Sequence, residues 1–317
     1  MKVADRLGAA EELGLVLKLS VDRIITVAAT IRTEAMSTMK TFLAVLEGIC
    51  FLYNNKMDML TSDQKLEIKS ESARAVVSLK GAQVLEWDAL VGGKHVQTLY
   101  QGSSAKRTGI PLLFPHFGKS EKYRMHGFGR DTMWEMRRCA ESEVEVFLNE
   151  ELLDNQARAE YPYKFEASVT VKLLKNRLDY ELIVRNKDTE TLPIMPGLHP
   201  YWKINHAEKD GLIVKELGEF DAQKVNWTES PPDNVYEYVD NIEVILPNFA
   251  IKIGDRSAEK NLKRLVIWSQ TPTRDPDYDF VCVEPTCGAH YEIDHNPIMV
   301  NPQKEWRMCV SFECVAH

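Results

Sequence analysis

The chain is poor in cysteine, has no long apolar run, and carries no excess of basic residues. Its six cysteines, Cys50, Cys139, Cys282, Cys287, Cys309 and Cys314, are scattered over 317 residues. They lack the dense, regular spacing that staples small secreted domains, so they read as reduced thiols. The longest apolar stretch, Thr41 to Tyr53, is too short to span a bilayer and contains Glu47. Met1 to Leu19 is interrupted by Asp5, Glu11 and Glu12, unlike the basic start and unbroken apolar middle of a secretory leader. The expectation is a cytoplasmic protein with no membrane partner. With 39 Lys plus Arg against 47 Asp plus Glu, the net charge is −8. That balance speaks against a nucleic-acid partner, because phosphate affinity rests on clustered bases.

Proline is missing from residues 1–57. Ala, Leu, Glu, Val and Ile dominate there, and Leu13, Leu17, Val21, Ile24 and Ile25 fall near helical spacing. This predicts a helical N-terminal extension over 1–57, followed by a separate domain over 58–317. From residue 58 the texture changes to short β-branched or alternating segments separated by turn residues. Leu66 to Ser70, Ala75 to Leu79, Glu143 to Leu148, Phe165 to Leu174, Leu178 to Val184, Val244 to Leu246, Leu265 to Trp268, Phe280 to Val283 and Arg307 to Phe312 all read as strands. Long helices do not alternate with them, so the pattern predicts an all-β antiparallel sandwich rather than a doubly wound parallel sheet. Thr228 to Asp233, with Pro231-Pro232, reads as a surface loop.

Four segments set ionisable or ring-bearing residues beside the Gly and Pro that shape loops at strand ends. They are Lys106 to Gly118, Met125 to Trp134, Met195 to Trp202 and Val281 to Thr286. Between them they supply His, Arg and Glu. A carboxylate facing an imidazole can move protons near neutral pH, one group accepting while the other donates.

The same segments, in this order, resemble the aldose 1-epimerase (galactose mutarotase-like) superfamily, with the hexose or hexose-phosphate mutarotases as the nearest branch. The most specific matches are His126-Gly127-Phe128-Gly129-Arg130 followed by Trp134, and Leu198-His199-Pro200-Tyr201. Tyr161-Pro-Tyr-Lys-Phe165 and Glu284-Pro285 support them, and the likeness runs from about Lys65 to Cys314. It implies an antiparallel β-supersandwich with a sugar cleft on one face, interconverting the anomers of a free hexose or hexose 6-phosphate without metal or cofactor. By that likeness Glu284 is the general base for the anomeric hydroxyl, and His199 is the acid that protonates the ring oxygen. His126, Arg107, Arg130 and Asp221 are the implied substrate-binding residues. A small sugar or sugar phosphate is the implied partner, bound by a monomer or weak homodimer. Glu284 would rest ionised and His199 protonated, each charge favouring the other.

Other residues fit blander roles. His116, His206, His290 and His295 read as surface or structural, and His290, Glu292 and His295 lack the spacing of a helical zinc motif. Cys282/Cys287 and Cys309/Cys314 each span a C-x4-C, yet both pairs lie in apolar strand-like runs and read as buried thiols. Trp134 and Trp202 suit either a sugar face or the core. Three departures from the family pattern, Thr108, Thr286 and Gln303, bear on the shape of the sugar site. Two rival functions remain open at this point: a noncatalytic carbohydrate-binding sandwich, and a glycoside hydrolase, which needs a second carboxylate.

Overall fold

Alternation is the rule that builds this molecule. The computed structural model describes residues 64–103 and 107–316, so the helical extension predicted for 1–57 lies outside the described residues. In Arg177–Asn186 every second residue is buried, as expected of a strand with one face on a core. That strand lies in an eight-stranded antiparallel sheet. Its order is Ile213–Val214, Ile242–Leu246, Phe249–Asp255, Glu305–Val315, Arg177–Asn186, Phe165–Leu174, Glu143–Asn149 and Glu135–Ala140. Its outer face is laced with exposed pairs such as Arg185 with Glu166 at 2.8 Å and Arg137 with Glu145 at 3.0 Å. Each is worth only about 0–1 kcal/mol, so the sheet is held by its inner face.

A second sheet of six strands carries the chemistry. Asp233–Glu237, Arg264–Trp268, Phe280–Thr286, Gly197–Leu198 and Leu112–Leu113 follow one another, and Tyr201–Lys203 also pairs with Phe280–Thr286. Asp233, predicted to end a surface loop, instead opens the edge strand. A four-stranded sheet, Lys65–Lys69, Ala73–Ser78, Gln83–Val91 and Lys94–Gln97, supplies Ile68, Val77 and Trp87 to the shared core. Leu192–Ile194 pairs with Ile298–Val300 as a separate ribbon. The all-β antiparallel reading is therefore correct, and its predicted strands recur with modest changes at their ends.

Phe280–Thr286 shows how one strand serves two environments. All seven residues are buried, but Val281 and Val283 join the main core, whereas Phe280 and Cys282 pack in another cluster with Tyr201. Glu284 continues the second set, because residues two apart on a strand share a face. The neighbouring strand behaves alike: Leu265 and Ile267 enter the core, while Val266 packs with Leu113 and Phe117 on the opposite side. A buried run without polar alternation thus reflects burial on both faces. Trp202 takes the core side, edge-on to Trp87 at 6.4 Å and to Phe312 at 5.5 Å. Trp134 is also core, its Nε1–H donating to the Gly129 carbonyl at 2.9 Å. Neither tryptophan reaches the cleft described next.

Candidate active site

The segment 125–130 is aimed by two left-handed residues, His126 at φ 67° and Gly127 at φ 65°. At Gly127 the backbone passes so close to Phe114 that an added Cβ would lie 2.2 Å from the Phe114 carbonyl oxygen. That carbonyl accepts from the N–H groups of Phe128 at 2.9 Å and Gly129 at 2.8 Å, so it has no easy retreat. Gly127→Ala is expected to cost roughly 2–4 kcal/mol of stability, from contact and positive φ together. Urea unfolding measures it, and an unchanged midpoint would show that the loop relaxes freely.

These constraints place five of the six predicted site residues around one cleft of about 440 Å³. Arg107, His126, Arg130, His199 and Glu284 line it, and the volume falls in the usual range for a small-molecule site. Asp221 does not line it. Its carboxylate accepts from the Gln223 N–H at 3.1 Å, capping the short turn Ala222–Lys224, and pairs with Lys224 at 3.0 Å. The local match to the family was poor there, and the side chain is satisfied by its own turn. Asp221→Ala is expected to leave kcat/KM within about twofold while removing only the cap of that exposed turn. A tenfold loss of kcat/KM would return Asp221 to the site.

At the centre, His199 Nε2 stands 3.4 Å from Glu284 Oε1. His199 is 7% exposed and Glu284 1%, so burial decides their protonation. It pushes His199 well below its ordinary 6.5, with His126 and Arg130 adding to the effect. Burial likewise pushes Glu284 well above 4.5, reinforced by Asp233 and opposed by Arg130. Both shifts favour the uncharged forms, opposite in direction to the ion pair expected from sequence. The proton count is the same in either case, since one proton is shared by two sites. His199 lies flat on Tyr201, with ring centroids 4.7 Å apart and planes 14° apart, and meets the edge of Trp268 at 5.6 Å. That stacking sets the direction of Nε2.

Around the pair, donors converge. His126 Nδ1 accepts from the Gly118 N–H at 3.0 Å, and burial pushes the ring down to about 3. The neutral ring therefore carries its proton on Nε2. His290 repeats the device: its Nδ1 accepts from the Lys119 N–H at 3.0 Å, and its ring lies on Phe117. His290 lines the cleft, which corrects its reading as merely surface or structural. Arg107 lies over Trp268 at 5.0 Å and is held by Asp275 at 3.1 Å. Arg130 Nε is buried with no hydrogen-bond partner and stands 3.9 Å from the Asp131 carboxylate.

Sequence reasoning missed Lys119, Asp233, Trp268, Asp275 and His290, all of which line the cleft. The only sequence signal was position: Asp233 and Trp268 sit at strand ends and Lys119 follows Gly118, while Asp275 had none. Of the family departures, Thr286 is fully buried and its hydroxyl donates to the Gly288 carbonyl at 2.8 Å, and it is not part of the cleft lining. Gln303 takes φ 60° itself, filling the turn where the family has glycine. Thr108 Oγ1 accepts from the Gly102 N–H at 3.1 Å.

Comparison with known proteins agrees with this architecture. The family model described as aldose 1-epimerase matches residues 64–312. Among solved structures, a galactose mutarotase related enzyme from Lactobacillus acidophilus is 21% identical, with a TM-score of 0.62 over 79% of this chain and 97% of its own. A galactose mutarotase-like protein from Clostridium acetobutylicum is 16% identical, with a TM-score of 0.65 over 79% and 95%. The GalM/aldose epimerase homologue from C. elegans is 12% identical, with a TM-score of 0.60 over 80% and 99%. At these identities the likeness to solved structures is one of fold.

Proposed function

The chain belongs to the aldose 1-epimerase family, and we propose that it interconverts the α and β anomers of a hexose or hexose 6-phosphate, with Glu284 and His199 as the proton-transfer pair. The observation that carries this reading is the buried approach of His199 Nε2 to Glu284 Oε1, 3.4 Å apart at the wall of a sugar-sized cleft.

Ring opening uses the pair with its proton on the imidazole. The Glu284 carboxylate takes the proton of the anomeric hydroxyl as the C1–O bond becomes a carbonyl. The electron pair of the breaking bond to the ring oxygen stays on that oxygen, which receives the proton of His199. The pair is now neutral, the form that burial favours. Rotation about C1–C2 presents the other carbonyl face, and reclosure reverses both transfers. Each form of the one-proton pair thus serves one direction of the cycle. Arg130 favours the Glu284 anion but opposes the His199 cation, so it acts in opposite directions on the two halves of the charged form.

The remaining side chains suit a hexose. Nε2–H donors of His126 and His290 face sugar oxygens, and Trp268 offers an aromatic wall to the C–H face of the ring. Arg107, Lys119 and Arg130 supply the positive charge that supports a 6-phosphate, in a chain that is acidic elsewhere. Polarimetry on fresh α-D-glucose, α-D-galactose and their 6-phosphates tests the proposal. Acceleration well above buffer is expected for at least one sugar. Folded protein that accelerates none of them would overturn it, and equal kcat/KM with and without phosphate would overturn the phosphate branch alone.

A further inference from the structure

We propose that His199, Cys282 and Glu284 also form a binding site for a borderline-soft divalent cation, Zn²⁺ being the reference ion, and that a loaded site shuts off the proton-transfer pair. Cys282 has no part in the chemistry above. It stands two residues before Glu284 on the strand Phe280–Thr286 and therefore shares its face. His199 arrives from a separate segment. One ligand atom from each of the three lies within 4.8 Å of the other two, and all three residues are buried.

The donor set is one imidazole nitrogen, one sulfur and one carboxylate oxygen; His199 and Glu284 line the cleft, whereas Cys282 is fully buried beside them and outside its lining. Three protein ligands and an exchangeable fourth position are the form that zinc takes where its outer ligand must come and go. Arms of about 2.0–2.3 Å around a tetrahedral ion hold ligand atoms roughly 3.3–3.7 Å apart. The His199 to Glu284 distance of 3.4 Å already fits, and from a separation of up to 4.8 Å the sulfur needs to close by at most roughly 1–1.5 Å, the scale of a side-chain rotation. Mg²⁺ and Ca²⁺ prefer all-oxygen ligands and fit this set poorly.

A second observation points to a cation. Glu284 Oε2 and His199 Nδ1 are buried and lack hydrogen-bond partners, and a buried carboxylate oxygen without a partner is a rare and costly feature. A divalent ion gripped by both oxygens of Glu284 gives Oε2 a partner and, with the thiolate, makes a formally neutral cluster, while His199 Nδ1 keeps none when Nε2 binds. The guanidinium groups of Arg107 and Arg130 oppose loading. Cys282 must release its proton to bind, so binding releases a proton to solvent. The C-x4-C spacing is not the basis of the site: Cys287 faces the Met308 sulfur at 3.8 Å instead.

The binding claim is independent of the mutarotase reading, whereas the inhibition claim rests on it. Titration of the full chain with Co²⁺ is expected to give a thiolate-to-cobalt charge-transfer band saturating at one equivalent, displaced by Zn²⁺. Cys282→Ser should abolish the band and weaken Zn²⁺ at least about tenfold in competition with a chromophoric chelator, while mutarotation persists and becomes insensitive to Zn²⁺. His199→Gln, with the thiol intact, should also lose tight binding, which keeps the proposal testable if Cys282→Ser does not fold. No band in the wild type, or one undiminished in Cys282→Ser, would overturn the metal site whatever the activity. A band that follows these variants in a protein without mutarotase activity would leave the site standing and remove only the functional reading.

Discussion

Glu284→Gln is expected to lower kcat by about 10³-fold or more, with KM changed by no more than a few fold, because general-base catalysis by a positioned group contributes about 10²–10⁴ and an amide cannot take a proton from the anomeric hydroxyl. Glutamine keeps the shape of the side chain and its hydrogen-bonding oxygen. Burial already favours the uncharged carboxyl, so a neutral amide should cost little stability. Initial rates by polarimetry, read beside the thermal midpoint, separate the two effects. Activity within tenfold of wild type, in folded protein, would remove Glu284 from the chemistry.

His199→Gln is expected to lose a similar 10²–10⁴ in kcat, and the double variant should be little worse than either single one, because the two groups act as a unit. The pH profile carries the same argument. One shared proton is required, so kcat/KM falls in acid when a second proton is added to His199, and falls in alkali when the shared proton leaves. The folded His199 is held well below 6.5, so the acid limb must lie below the ordinary histidine range. The alkaline limb belongs to a pair whose carboxyl is raised above 4.5. An acid limb that falls only below pH 6.5 is expected for wild type. An acid limb centred at or above 6.5 would mean that His199 starts the cycle as an ordinary, solvated imidazolium.

The substitution most open to misreading is Asp221→Ala, since a small effect on activity would leave the rest of the site intact. Its expected neutrality follows from a carboxylate whose hydrogen bonds close within its own turn.

Strand content was legible in the chain because a period of two is a local property. Phe165–Leu174 and Phe280–Thr286 advertise themselves through β-branched and apolar residues before any partner strand is known. The pair at the centre was legible through short motifs, His199 within Leu-His-Pro-Tyr and Glu284 before Pro285, since a loop geometry specified by Gly and Pro travels with its sequence. Which face a side chain takes on a doubly buried strand was not legible. Val283 and Glu284 are equally hidden, yet one serves the core and the other the cleft, and only the packed layers on either side distinguish them.

By itself, then, the sequence determined an antiparallel all-β body and, through short motifs that resemble a family, singled out His199 and Glu284 as candidates, because these depend on patterns within a few residues of one another. Tertiary structure alone decided that His290, Asp275 and Trp268 share the cleft and Asp221 does not, that burial of the central pair favours its uncharged forms, and that Cys282 lies within reach of both its members. Those outcomes follow from desolvation and from distances between remote segments. Both come into being only when strands far apart in the chain are brought together.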